Sequence, residues 1–599
     1  MTSDQALNMG ALRELYRSGQ ARPSDVVAAL YDRIRQAPLQ PVWISLVPRE
    51  TALAQTRELE RDPLARARPL YGIPFAIKDN IDLAELPTTA GCPAYAYSPS
   101  RSATVVEALV DAGAIPIGKT NLDQFATGLV GTRSPYGACS SVFDPHYISG
   151  GSSSGSAVAV AGGLATFALG TDTAGSGRVP AAFNNLVGLK PTRGLLSNLG
   201  VVPACRTLDC VSVLAATASD ALTVWQVSRG FDPGDPFSRV PKPGQSAAVW
   251  LGGPFRFGVP AAPQLEFFGD EQAARLYRTS LAQLGRLGGQ QVEIDFAPFR
   301  AAAELLYSGP WVAERLAAIR PFLDVHPDQV NPVVREIITG ARRYTAVEAF
   351  EAEYQLRRLH RATEEQWEKM DVLVLPTTGT IPTHDQVASD PVHLNTKLGY
   401  YTNFVNLLDL AAVAVPAGFR STRLPFGISL IGPAFSDEAL LALADQFHCV
   451  QSGRPEPAVE LGTTPPDCIA VAVVGAHLAG QPLNWQLTER GARYVKTCRT
   501  APGYRLYALD RTLPSKPGLV RDPGYAGAGL EVEVWVVPED EFGGLVAATP
   551  SPLGIGNVTL DNDEVVKGFL CESYALQTAH EITQFGGWRA YLTQAVSAR

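Results

Sequence analysis

A chain of 599 residues is too long for one ordinary hydrophobic core, so two or more domains are expected. Its 46% hydrophobic and 18% charged content is that of a globular protein, and a net charge of −9 with no long Lys/Arg block argues against a nucleic-acid partner. No apolar run is long enough to span a bilayer and Met1-Thr2-Ser3-Asp4-Gln5 has no signal-peptide pattern, while eight scattered cysteines without a CxxC pair suit neither a disulfide framework nor a metal site; a reduced cytoplasmic protein is expected.

Residues 24–36 read as an amphipathic helix, with Ser24 after Pro23 as N-cap and Val27, Leu30 and Ile34 at helical spacing. Tyr71 to Ile77, Ala114 to Gly118 and Val372 to Leu375 read as strands. They alternate with helical segments at Thr104 to Ala112 and Glu438 to Cys449. That alternation predicts an α/β layered domain with its chemistry on connecting loops. Thr345 to Met370 is charged and helical and reads as a solvated outer face. Two Pro-rich punctuations, at 452–457 and 463–466, mark a linker at 456–466. They divide a domain at 1–455 from a small α+β domain at 467–599, where Cys468 to Gly475 and Leu530 to Val537 read as strands. In the second of these, Glu531, Glu533 and Trp535 alternate with valines.

Three segments carry chemistry. Gly150-Gly151-Ser152-Ser153-Ser154-Gly155-Ser156 opens into the small apolar stretch Ala157 to Ala165, which a flexible linker has no reason to do. Gly170-Thr171-Asp172-Thr173-Ala174-Gly175-Ser176-Gly177-Arg178 sets a serine among small residues, so a substrate can approach the backbone N–H groups. Tyr71 to Asn80 puts Lys78 at the end of an apolar strand, where a lysine is costly to bury unless it is neutral or has a task. A serine hydroxyl is almost wholly protonated at neutral pH, so some group must take its proton. His146, six residues before Ser152, leaves a Ser-His arrangement open.

These segments resemble the amidase signature family, and further family-like stretches extend the resemblance from about residue 70 to 435. The resemblance implies a Ser–cis-Ser–Lys triad of Lys78, Ser152 and Ser176 in a mixed sheet covered by helices. Ser152 follows Lys78 by 74 positions and precedes Ser176 by 24, which is similar to the family's spacing. It further implies a cis Gly151–Ser152 peptide, a neutral Lys78 and oxyanion donors at Thr173, Ala174, Gly175 and Ser176. Neither metal nor organic cofactor is implied. Asp172 and Arg178 are expected to be structural ties within the loop. Ala174-Gly175 stands where many relatives carry two glycines, and a methyl group is small enough for such a loop.

Within the family, Glu304 to Arg315, Asn121 to Gly131 and the carboxyl-terminal segment are similar to allophanate hydrolases. The implied substrate is small and anionic. Arg315 would meet its carboxylate, Tyr307 would add a hydroxyl and Gly128 a backbone group, since a planar guanidinium suits a carboxylate. The tail resembles that group's second domain, of γ-glutamyl cyclotransferase-like shape, which implies that His477 assists decarboxylation of N-carboxycarbamate. An assembly role for the tail stays open. A functional link to a urea carboxylase and a homodimer are expected. Two other readings stay open: another small-amide amidase, and an amidotransferase component that works on charged transfer RNA.

Overall fold

The computed structural model describes residues 8–37, 40–240, 255–453, 468–509 and 512–597. The expected linker at 456–466 lies outside them. The described residues form two compact units, one amino-terminal through residue 453 and one from 468 onward. Among them no helix is long and apolar enough to cross a membrane.

The first unit is built on one sheet of eleven strands. In chain order they are β1 (Trp43–Leu46), β2 (Pro74–Lys78), β3 (Ile115–Thr120), β4 (Phe167–Asp172), β5 (Val187–Lys190), β6 (Cys210–Ala215), β7 (Phe255–Pro260), β8 (Gly289–Ile294), β9 (Val372–Pro376), β10 (Leu410–Phe419) and β11 (Pro425–Pro433). Their spatial order is β1-β3-β2-β4-β6-β5-β10-β11-β9-β7-β8. Pairing is parallel at β2/β3, β2/β4, β7/β8 and β7/β9, and antiparallel between the other neighbours. Every residue of β2, β3 and β4 is buried, which is why these strands read as apolar runs rather than as alternating ones.

The helix Ser154–Ala161 packs behind β2 and β4, and its small residues permit the approach. At Gly155 an added Cβ would fall 2.5 Å from the Val42 carbonyl oxygen, so any side chain there would push the helix off its neighbour. The first expected helix runs Pro23–Gln36, one residue earlier than its sequence suggested. Arg22 is its N-cap in place of Ser24, because the fixed φ of Pro23 suits the first turn. Asp25 completes the start by accepting the Arg22 N–H at 3.1 Å. The charged helix spans Ala346–Trp367 with Thr345 as N-cap. Its outer face is less polar than expected, with Val347, Phe350 and Tyr354 exposed.

The second unit holds β12 (Cys468–Val473), β13 (Arg493–Arg499), β14 (Tyr504–Ala508), β15 (Pro517–Arg521), β16 (Glu531–Pro538), β17 (Leu553–Thr559), β18 (Val565–Cys571) and β19 (His580–Glu581). Five form a sheet in the order β13-β16-β12-β18-β17, and β15-β14-β19 form a smaller one. The alternation in β16 does not separate a wet face from a dry one: Glu533 and Trp535 are both buried. Glu533 tolerates burial because its carboxylate accepts from Trp535 Nε1 (3.1 Å), the Ala479 N–H (2.8 Å) and Arg589 (2.6 Å).

Candidate active site

Lys78 ends β2 with no exposed surface. Its Nζ donates to Ser152 Oγ and Thr171 Oγ1, both at 2.7 Å, and reaches the Thr171 carbonyl at 3.4 Å. β2 and β4 are parallel neighbours, so the carboxyl end of one strand meets the carboxyl end of the other, and Thr171 stands beside Lys78 for that reason. Burial holds the Lys78 ammonium down to about 7, against the opposing pull of Asp123, Asp172 and Asp209. Near neutral pH a large share of Lys78 is therefore the free amine, which can accept a proton. The Gly151–Ser152 peptide is cis, the geometry the resemblance implied.

Ser176 lies just beyond β4, in the turn that precedes the helix Arg178–Phe183, and is 3% exposed. Its hydroxyl donates to the Gly128 carbonyl at 3.3 Å. Among the described residues it makes no hydrogen bond with Ser152 Oγ; the two turns are joined instead by the Ser153 N–H to the Ser176 carbonyl at 3.2 Å. Such bonds commonly tighten only once substrate is present. The turn is held from below by Asp172, which accepts from Arg178 Nε at 2.9 Å and Nη2 at 3.0 Å, with both side chains fully buried. Asp172 also accepts the N–H groups of Gly175 (2.8 Å), Gly177 (3.1 Å) and Arg178 (3.3 Å). The oxyanion role expected of Gly175 therefore fails: its amide is already spent on Asp172. The amides of Thr173, Ala174 and Ser176 remain as candidate donors. Gly175 keeps a different necessity, since at φ +126° its Cβ would fall 2.5 Å from Thr402 Oγ1.

Tyr307 and Arg315 do not share a helix face. Tyr307 closes the helix Ala297–Ser308, and Arg315 opens the helix Val312–Val325 after a break at Gly309 and Pro310. Across that break Arg315 Nη2 donates to the Tyr307 hydroxyl at 3.3 Å, and the guanidinium lies 5.4 Å from the ring centre. Arg315 is 2% exposed; its Nη1 donates to Thr127 Oγ1 at 3.0 Å, and its Nε is buried with no partner among the described residues. A cation so placed still has donor capacity for an anion. Asp209 faces the same region, and burial pushes its carboxyl up; it accepts from the Thr173 hydroxyl and thus ties down the start of the turn that carries Ser176.

Reading the sequence missed Thr171, Thr127, Asp123, Arg133 and Asp209. Two of these carry a signal in hindsight: Asp123 and Arg133 are the charges in an otherwise uncharged stretch from Asn121 to Arg133. His146 is disposed of by geometry, since its ring is 82% exposed and bonds Asp144 at 2.8 Å. In the second unit His477 is half-buried, stacks on Phe569 at 4.6 Å and bonds Gln486 Oε1 at 2.9 Å. Burial pushes its pKa down. Among the described residues no group of His, Cys, Asp and Glu is arranged to hold a metal ion.

Residues 25–441 match the Amidase family, and residues 469–593 match the allophanate hydrolase C-terminal domain. Urea amidolyase of Saccharomyces cerevisiae is 44% identical over 607 residues, spanning 96% of this chain and 32% of that protein. The chain thus spans about a third of the length of the first curated relatives it matches. The structure of Kluyveromyces lactis allophanate hydrolase superposes with a TM-score of 0.81 at 44% identity, covering 97% of this chain and 98% of that one. A glutamyl-tRNA(Gln) amidotransferase component from a Synechococcus species is 33% identical over 75% of this chain and 99% of its own length. By these matches, which take in most of the eleven-stranded unit and both serine-bearing turns, the chain belongs to the amidase family.

Proposed function

We propose that this chain hydrolyses allophanate, releasing ammonia from its terminal amide. The observation that carries this reading is Arg315: a buried guanidinium with unused donor capacity, anchored to Thr127, whose neighbour Gly128 holds the hydroxyl of Ser176. Such an arrangement suits a small amide that bears a carboxylate. It is supported by the 44% identity to an allophanate hydrolase of nearly the same length. Ser176 attacks the terminal carbonyl while its proton passes to Ser152 and on to Lys78. The amides of Thr173, Ala174 and Ser176 receive the developing oxyanion. The proton held at Lys78 returns to the leaving nitrogen, ammonia departs, and water frees N-carboxycarbamate from Ser176 by the same relay. Arg315 and Tyr307 hold the carboxylate throughout.

Selectivity tests the reading. Arg315→Lys keeps the charge but loses the planar fork, so KM for allophanate should rise by about tenfold to a hundredfold, at 1.4 kcal/mol per decade. Uncharged small amides should be hydrolysed much as before. Equal losses on both substrates would mean that Arg315 only supports the fold.

The tail is assigned the next step, decarboxylation of N-carboxycarbamate with His477 taking part, downstream of the linker at 456–466. Residues 1–455 alone should then fold and release the first ammonia, since Lys78, Ser152 and Ser176 all lie within them. In that fragment, or in His477→Ala, N-carboxycarbamate should accumulate or decay only at its spontaneous rate. Carbon-13 NMR and a coupled ammonia assay would resolve the two steps, and unchanged time courses in His477→Ala would leave the tail an assembly module. The same reading makes the protein a cytoplasmic homodimer fed by a urea carboxylase, whose product would be this substrate.

A further inference from the structure

Thr127, Gly128 and Leu129 carry more polar contacts than a connecting loop needs. On one side Gly128 offers its carbonyl to Ser176 at 3.3 Å, and Thr127 Oγ1 accepts from Arg315 at 3.0 Å. On the other side the segment is clamped. Arg133, 3% exposed, donates from Nη1 to the Thr127 carbonyl at 3.0 Å and from Nη2 to the Pro391 carbonyl at 2.6 Å. Asp123 accepts the N–H groups of Gly131 and Arg133, both at 2.9 Å. Asn395 Oδ1 accepts the Leu129 N–H at 2.7 Å. Gly128 has no slack within this clamp, for at φ +154° its Cβ would fall 2.7 Å from Asp123 Oδ2 and 3.2 Å from Arg133 Nη1.

We propose that Arg133 is a positioning residue of the hydrolytic centre: by gripping the Thr127 carbonyl it fixes one short segment that aims the Ser176 hydroxyl and seats Arg315 together. The proposal rests on the reading above that Ser176 is the nucleophile and Arg315 the carboxylate ligand. It requires a guanidinium in particular. Two carbonyls in separate parts of the chain, Thr127 and Pro391, are met by one rigid fork, which the flexible point charge of a lysine does not reproduce. If the fork is lost, the Thr127–Gly128 peptide turns, and the nucleophile loses its aim for every amide, with or without a carboxylate. That separates Arg133 from Arg315, whose loss is felt through the carboxylate alone.

The test uses the full-length protein as Arg133→Lys and Asn395→Ala. Four quantities are measured: kcat and KM on allophanate, the same on propionamide, the rate of Ser176 modification by phenylmethanesulfonyl fluoride, and Tm. Arg133→Lys should lower kcat on both amides by about 10- to 100-fold, the cost of a nucleophile misplaced by up to an ångström. Ser176 modification should slow in parallel, while KM for allophanate changes less. A folded Arg133→Lys protein with unaltered kcat and labelling overturns the proposal. So does a change confined to KM for allophanate, which would make Arg133 a substrate ligand. If Arg133→Lys does not fold, Asn395→Ala loosens the same segment at Leu129 and must show the parallel loss; intact kcat and labelling there overturn it equally. Labelling is read without substrate, so a wild-type protein inactive on allophanate would defeat the functional reading and leave the Arg133 comparison standing.

Discussion

Replacing Ser176 with alanine is expected to abolish ammonia release and leave the fold intact. The hydroxyl contributes one long hydrogen bond, 3.3 Å to the Gly128 carbonyl, and a bond of this kind adds only about 1 kcal/mol to stability. The turn around it is held by other groups: Asp172 and Arg178 below, and the Ser153 N–H beside it. What the substitution removes is the atom that becomes bonded to substrate, for which no neighbour can substitute. Ser152→Ala should lose less, because it interrupts proton transfer rather than bond formation, and general acid–base help is worth about 10²–10⁴-fold. Lys78 keeps Thr171 Oγ1 at 2.7 Å in that variant, so the lysine stays anchored and the loss is attributable to the missing relay. A coupled ammonia assay alongside a thermal melt checks both. A rate near that of the wild type in either variant would sink the mechanism, and both proteins should melt close to it.

Much of this site is legible in the sequence because its chemistry sits at places where local pattern is strongest. Lys78 stands out as a cation ending an apolar strand, and β2 proves to be buried at every position. Ser152 and Ser176 lie in turns of small residues, and β2 and the small-residue helix Ser154–Ala161 follow from short-range composition, whereas β4, which leads into the Ser176 turn, was not read as a strand. The partners of those residues are another matter. Thr171 meets Lys78 from 93 positions away, Thr127 meets Arg315 from 188 and Asn395 meets Leu129 from 266. No periodicity marks a residue whose role is to receive a hydrogen bond from so far along the chain. Gly175 failed for a related reason. Its amide looked free because the sequence shows the turn but not that the carboxylate of Asp172, three residues earlier, bends back into it. In β16 the strand itself was legible, but not the burial of Glu533, whose carboxylate is met by Arg589 from 56 positions along the chain.

Lys78→Met should inactivate the enzyme and make it more stable, and the two effects have one cause. An unfolded lysine has a pKa near 10.5, and burial brings Lys78 down to about 7 in the folded protein. Between those values the unfolded chain binds a proton that the folded chain does not, so in this window stability rises with pH. At or below neutral pH the full penalty stands, ~5 kcal/mol for a drop of this size at 1.36 kcal/mol per pKa unit. Methionine has similar length and no charge to desolvate, so the penalty disappears. Against it stand the hydrogen bonds to Ser152 Oγ and Thr171 Oγ1, whose loss costs about 1–3 kcal/mol for a buried group left unpaired. Thr171 retains Asn80 Nδ2 at 3.3 Å, so it is not orphaned. The balance favours Lys78→Met at pH 7 by about 2–4 kcal/mol, and that gain should shrink as the pH is raised toward 9. Denaturant melts at a series of pH values would show it. Below pH 7 the wild-type kcat/KM should fall about tenfold per pH unit, because a protonated Lys78 has no capacity to take the proton of Ser152. A variant no more stable than the wild type at pH 7, joined to a flat rate profile between pH 5 and 7, would mean that Lys78 is not the neutral base.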